Sequence, residues 1–273
     1  MLKSGSNEKR VKGQGSRGKK SGSRLQSPET RQRTGVFAFR RTSGGEGGKV
    51  VAADGGQRTA DIGVELMSIT PNAQDVIERA CRTCYLSFNR YNPPSSTEEL
   101  IKKVIRKGHH SVLEHALATF RIKGGSRVFT HELVRHRLMS PSQESQRYVE
   151  YGKTKEFEYV VPPSIKNTKF EDRFKKLAGE TFSLYQQMVK ADIPKEDSRY
   201  ILPNATISEI VISANFRELR HIFEVRCVER AHWEIRGICL EMLRIMKQQA
   251  PTVFWDFEID EEKRIAFKKE VVR

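Results

Sequence analysis

No stretch of the chain approaches the roughly 20 consecutive apolar residues that a membrane-crossing helix needs, which excludes an integral helical membrane protein. The first residues contain no apolar core of a secretory signal, so none is expected. Cysteine is scarce, with 4 in 273 residues, too few for a disulfide scaffold and suited to a reducing compartment. Neither G-x-G-x-x-G nor G-x-x-x-x-G-K-[ST] occurs, so a dinucleotide loop and a P-loop have no support, and G-x-S-x-G is absent as well. Repeats of 20–50 residues are also lacking. These absences leave a cytoplasmic protein of one or two domains as the expectation.

The net charge of +15 is present but uneven. Residues 1–60 hold 14 Lys and Arg against four acids and 12 of the 19 glycines, whereas the remaining 213 residues carry only +5. The N-terminal 60 residues read as a disordered basic Gly/Ser-rich tail, because so little apolar surface cannot offset chain entropy. A solvated extension, a start codon placed too far upstream, a transit peptide and a nucleic-acid-binding arm are the readings open for it. Residues 61–273 read as one folded domain, long enough for a single substantial core.

Within that domain, Val64–Ile69 alternates as a strand. Thr70-Pro71 offers a cap for a helix bearing Val76, Ile77, Ala80, Cys81 and Cys84, and Ser96 with Glu99 offers a capping box for a second helix, stopped at Gly108. A strand over 116–122 is broken at Gly124-Gly125, and a helix over 126–138 turns Val128, Phe129, Leu133 and Val134 inward. A long amphipathic helix around residues 170–188, a strand over 207–213 and helices over 216–226 and from Ile235 to Met246 complete the pattern. Few strands among several helices predict an α/β or α+β fold, a small mixed or antiparallel sheet flanked by helices.

Three clusters could carry chemistry. Residues 135–148 pack three arginines, a histidine, a glutamate, two glutamines and three serines behind an apolar helix face. Arginine forks and neutral donors suit phosphate and carboxylate oxygens; the plain alternative is a polar loop. Residues 108–115 hold three histidines and Glu114, but His110 and His115 lie five apart and miss both H-E-x-x-H and H-x-x-E-H, so no metal is expected. Residues 215–226 place Arg217, His221 and Arg226 along one helix, which also reads as amphipathic with exposed charges. Cys81-x-x-Cys84 has no second pair to match it and reads as buried small apolar residues.

At these residues the sequence closely resembles the flavin-dependent thymidylate synthases. Their R-H-R-x-x-S signature, continuing into S-x-x-S-x-R-Y, stands as Arg135-His136-Arg137, Ser140, Ser142, Ser145, Arg147 and Tyr148. G-H-x-[ST]-x-x-E-H stands as Gly108, His109, Ser111, Glu114 and His115, and N-x-R as Asn215 and Arg217. Pro141 takes the place of the usual tyrosine, and His221 that of an asparagine found in some members. The resemblance covers about residues 64–255 and excludes the tail.

It implies a thymidylate synthase-complementing type fold, a homotetramer with inter-subunit active sites, and an enzyme converting dUMP to dTMP. The one-carbon donor would be 5,10-methylenetetrahydrofolate, and the hydride carrier FAD reduced by NADPH. It assigns FAD to Ser111, Glu114, Arg135, His136, Arg137, Glu144, Asn215, Arg217 and His221, with His109 near flavin and folate. It assigns dUMP to Glu132, Arg135, Glu144, Ser145, Gln146, Arg147, Arg199 and Arg226. Arg226 would be catalytic, its permanent charge stabilising the activated uracil. The rival readings are a basic nucleic-acid-binding protein using the tail, a zinc hydrolase using the histidines, and a flavoprotein acting on another uracil-containing nucleotide or a tRNA.

Overall fold

Strand β4, Ile207–Asn215, alternates so that Ile210, Ile212 and Ala214 are buried while Glu209, Val211 and Ser213 are half-covered. Such period-two burial marks a strand with one face on the core. In the computed structural model, which describes residues 62–155 and 157–269, β4 is a central strand. β1 (Gly63–Ile69), β2 (Leu117–Ser126), β4 and β3 (Met139–Gln143) form one sheet in the order β1-β2-β4-β3. All three pairings are antiparallel, with Phe120 opposite Ile212 and Pro141 opposite Ile212 from the other side. The fold is therefore α+β with an antiparallel sheet. The tail expected over residues 1–60 lies outside the described residues.

The buried sheet face carries α1 (Ala73–Tyr85), α2 (Ser95–Arg106), α3 (Arg127–Leu133), α6 (Phe216–Arg226) and α7 (Trp233–Gln249) in one continuous core. Leu219, Ile222 and Phe223 of α6 are fully buried. Each contributes roughly 1.5–3 kcal/mol by leaving water, enough to fix the face α6 presents to the sheet. α4 (Glu171–Lys190) sits on a separate aromatic cluster, and the single turn α5 (Lys195–Ser198) packs against α4. There Tyr151 and Tyr185 are buried and Phe157 stacks on Phe182 at 4.5 Å. A hairpin, β5 (Phe257–Asp260) with β6 (Ile265–Lys268), follows α7 and was not foreseen.

Several local expectations change. α1 starts at Ala73 behind a left-handed Asn72, because the Thr70 hydroxyl instead accepts the Leu117 N–H at 2.9 Å and closes the β1–β2 ladder. Ser96 makes no capping box with Glu99; its hydroxyl accepts the Asn92 N–H and donates to Glu78. Gly124-Gly125 does not end β2, which continues to Ser126 through a register shift. Gly125 is needed there, since a Cβ would sit 2.6 Å from Phe129 Cδ1. The helix expected over 126–138 stops at Leu133. The N–H groups of Arg135 and His136 bond the carbonyls of Glu132 and Leu133, which tightens the turn and sends the chain into β3. Val128 and Val134, expected inward, are exposed. The polar run after residue 139 begins as an edge strand, where Pro141 is tolerated without its N–H.

Candidate functional site

Two helices of the site leave adjacent strands with the same device. Ser126 caps α3, its hydroxyl accepting the Phe129 N–H, and Asn215 caps α6, its side chain accepting the Glu218 N–H. Glu234 of α7 fixes the first cap by accepting both the N–H and the hydroxyl of Ser126, at 2.8 and 2.6 Å. The C-terminal residues of α3 and α6 then meet.

At that meeting Arg226 is held in three directions. Its Nη1 donates to Glu132 Oε2 at 3.2 Å, its Nη2 to the Glu132 carbonyl at 3.1 Å, and its Nε to His136 Nε2 at 3.0 Å. Arginine has no acceptor and stays charged, so His136 Nε2 must be the bare ring nitrogen and the proton sits on Nδ1. His136 is 7% exposed. Burial, reinforced by Arg226 and His221, pushes it down to about 4. Its Nδ1 lies 3.8 Å from Glu218, a contact between a neutral ring and a carboxylate rather than an ion pair near pH 7. The His221 ring stands edge-on to it at 5.7 Å. Glu132 also faces His232 Nδ1 at 3.5 Å.

A cavity of about 890 Å³ opens beside this cluster. Arg135, Arg137 and Arg226 line it with Glu132, His131 and Asn204. Of these, His131 and Asn204 were not among the expected site residues. His131 lies one turn after Arg127 on α3 and four residues before Arg135, a spacing that could have pointed to it; Asn204 gave no signal.

The other expected residues fall into two further groups. Glu114 and Arg217, 103 positions apart, form a 2.5 Å ion pair. They lie with exposed His109 and Ser111 on the outer side of the short helical turn His110–His115. Residues 144–147 and Arg199 form the last group and do not line the Arg226 cavity. Glu144 is committed within the chain, accepting from Tyr151 Oη and Lys155 Nζ at 2.7 Å each. Burial pushes the Tyr151 hydroxyl well above its ordinary range, so it remains a donor to Glu144. Ser145 accepts the Arg147 N–H, Gln146 is buried with no hydrogen-bond partner for its Nε2 among the described residues, and Arg147 and Arg199 both reach Glu196.

Cysteine offers no nucleophile near the arginines. Complete burial drives the Cys239 thiol up to about 12, and burial raises Cys227 and Cys81 too. Among the described residues no group of three or more His, Cys, Asp or Glu could hold a metal ion, and no helix is long and apolar enough to cross a membrane.

Known proteins share this arrangement of sequence. Residues 65–252 match the family model described as thymidylate synthase complementing protein. A flavin-dependent thymidylate synthase of Geobacter sulfurreducens is 41% identical over 199 residues, which span 71% of this chain and 85% of the relative. The protein of that name from Pyrococcus furiosus is 41% identical over 174 residues, 62% of this chain and 71% of its own. That from Corynebacterium glutamicum is 39% identical over 214 residues, covering 72% and 84%.

Proposed function

The chain belongs to the thymidylate synthase complementing protein family, and from that membership we propose that it is a flavin-dependent thymidylate synthase, converting dUMP to dTMP. The observation that carries the reading is Arg226, clamped by Glu132 and neutral His136 at a cavity that it shares with Arg135 and Arg137. Three arginines against one carboxylate form a donor set for ligands bearing phosphate groups, which both dUMP and FAD carry. The residues present therefore fit a flavin and a nucleotide.

The finer assignments are these. FAD is held by Arg135, Arg137, Asn215, Arg217 and the turn bearing Ser111 and Glu114, with His221 and His109 at its edge. When bound, FAD supplies the hydride, drawn from NADPH, that completes the methyl group delivered by 5,10-methylenetetrahydrofolate. dUMP is held by Ser145, Gln146, Arg147, Arg199 and Arg226. Arg226 lies against the uracil, where its guanidinium stabilises the negative charge that builds as C5 becomes nucleophilic. His136 and Glu132 are positioning residues: each leaves Arg226 one orientation. Glu144 keeps the loop after β3 in shape through Tyr151 and Lys155.

A homotetramer with sites between subunits completes the proposal. Two observations support it: residues 144–147 do not reach the Arg226 cavity of their own chain, and Leu138, Tyr148, Phe170, Leu177 and Tyr200 are exposed apolar side chains. The family match also accounts for the three clusters that a nucleic-acid-binding protein would leave unexplained.

The test is a visible absorption titration of the purified protein with FAD and then dUMP. Bound flavin whose band shifts on adding dUMP is the expected result. A protein that takes up no FAD refutes the reading.

A further inference from the structure

The C-terminal turn of α2 faces a second cavity, of about 880 Å³, whose far wall is formed around Trp255 and the end of β6. It shares no lining residue with the Arg226 cavity. Six cations, Lys103, Arg106, Lys107, Arg220, Lys268 and Lys269, line it against the single carboxylate of Asp256. Three of the six are neutralised within the chain. Arg220 pairs with Asp256 at 2.6 Å, Lys268 with Glu224 at 2.5 Å, and Lys269 with Glu258 at 2.6 Å. Lys103, Arg106 and Lys107 have no ion pair among the described residues; the Arg106 guanidinium rests 5.0 Å above the Trp255 ring.

Cations in the last turn of a helix are ordinary, since they favour its negative end. That accounts for α2 but not for basic side chains converging on the same space from α6 and β6. Two buried donors of the wall, Arg220 Nε and Trp255 Nε1, also meet no acceptor among the described residues. The positive surroundings are felt by His110, which burial first, and then Arg220 and Lys268, push below its ordinary range.

We propose that this cavity binds the anionic extension of a co-substrate, two or more carboxylate or phosphate groups on one small molecule. The proposal rests on the function given above. His109 lines the cavity, and the next turn carries Ser111 and Glu114, the latter bonded to Arg217. The cavity and the flavin-facing surface thus share a wall, and a molecule reacting at the flavin can send a charged tail into it. Two reagents of the reaction have such a tail: the folate, through its glutamyl chain, and the nicotinamide dinucleotide, through its phosphates.

The experiment uses Lys103→Gln/Lys107→Gln, two exposed positions outside the proposed catalytic and flavin residues. FAD-loaded protein is titrated calorimetrically with pteroylmonoglutamate and pteroyltriglutamate, with NAD⁺ and NADP⁺, and with inorganic tripolyphosphate. In the unaltered protein the more anionic member of one pair binds about tenfold tighter, the effect of one good charged contact. The double variant loses that preference and its tripolyphosphate binding. The pair that responds identifies the source. Unchanged ratios and unchanged tripolyphosphate binding in the variant overturn the proposal. dUMP is titrated against the flavin band in the same samples. A band that dUMP does not move counts against the enzyme reading alone, while lost tripolyphosphate binding still upholds the anion site.

Discussion

His136 ties stability to pH in a way that one substitution isolates. The unfolded chain takes up a proton on this ring near pH 6.5, while the folded chain refuses it until about 4. Stability from the neutral ring is therefore complete above pH 6.5 and lost as pH falls toward 4. Each unit of that difference is about 1.4 kcal/mol, so the whole window is worth roughly 3 kcal/mol. The groups facing the ring are Arg226, His221 and Glu218. Only the carboxylate would welcome the proton, and at 3.8 Å it does not outweigh burial and the arginine. His136→Gln keeps an acceptor for Arg226 but cannot titrate. Urea unfolding followed by circular dichroism at pH 7.5 and 4.5, at one protein concentration and matched flavin content, gives the comparison. The unaltered protein should lose about 2–3 kcal/mol more than the variant across that span, or roughly 4–12 °C in Tm. Parallel losses in the two proteins would refute the neutral, Nδ1-protonated ring.

Arg226→Ala should leave FAD bound and remove most dTMP formation, measured as product per bound flavin; near-normal turnover sinks the role given to Arg226. Glu78 is fully buried and accepts from Arg82 at 2.7 Å and from the Ser96 and Thr97 hydroxyls, joining α1 to α2. Glu78→Ala should cost about 3–5 kcal/mol by leaving Arg82 buried without its counter-charge, and thermal melts will show it. Gly125→Ala should cost about 1–3 kcal/mol through the clash with Phe129. Combined with Phe129→Leu it should cost less than the sum of the two single changes, which a double-mutant cycle measures.

Where burial imposed a period, the sequence was readable. α6 runs from Phe216 to Arg226 as its apolar spacing indicates, and β4 follows its alternation, while β1 lies where its residues indicate with a register shift between Leu66 and Ser68. β3 escaped notice because Met139–Gln143 is an edge strand of small polar residues and proline, with one buried side chain, Met139. The turn after α3 escaped because it is set by tertiary pairing, not by any breaker in Val134–Leu138. The site was legible as residue types in three clusters, and the R-H-R motif drew attention to the right turn. What no local pattern could reveal was the partnership across 90 positions between His136 and Arg226, or the commitment of Glu144 to Tyr151 and Lys155. Those depend on how two antiparallel strands point their helices.

That arrangement has an electrostatic consequence. β2 and β4 run in opposite directions, so α3 and α6 leave opposite ends of the sheet and their carboxyl-terminal ends come together. Each helix carries a macrodipole whose negative pole, about half an elementary charge, lies at that end. The two poles converge where Arg226 takes up the Glu132 carbonyl and where Arg135 and Arg137 follow. Three guanidinium groups lining one cavity repel one another, and backbone carbonyls supply part of the opposing charge. The cavity can therefore stand assembled before any phosphate enters, with its cations held by the chain's own peptide groups.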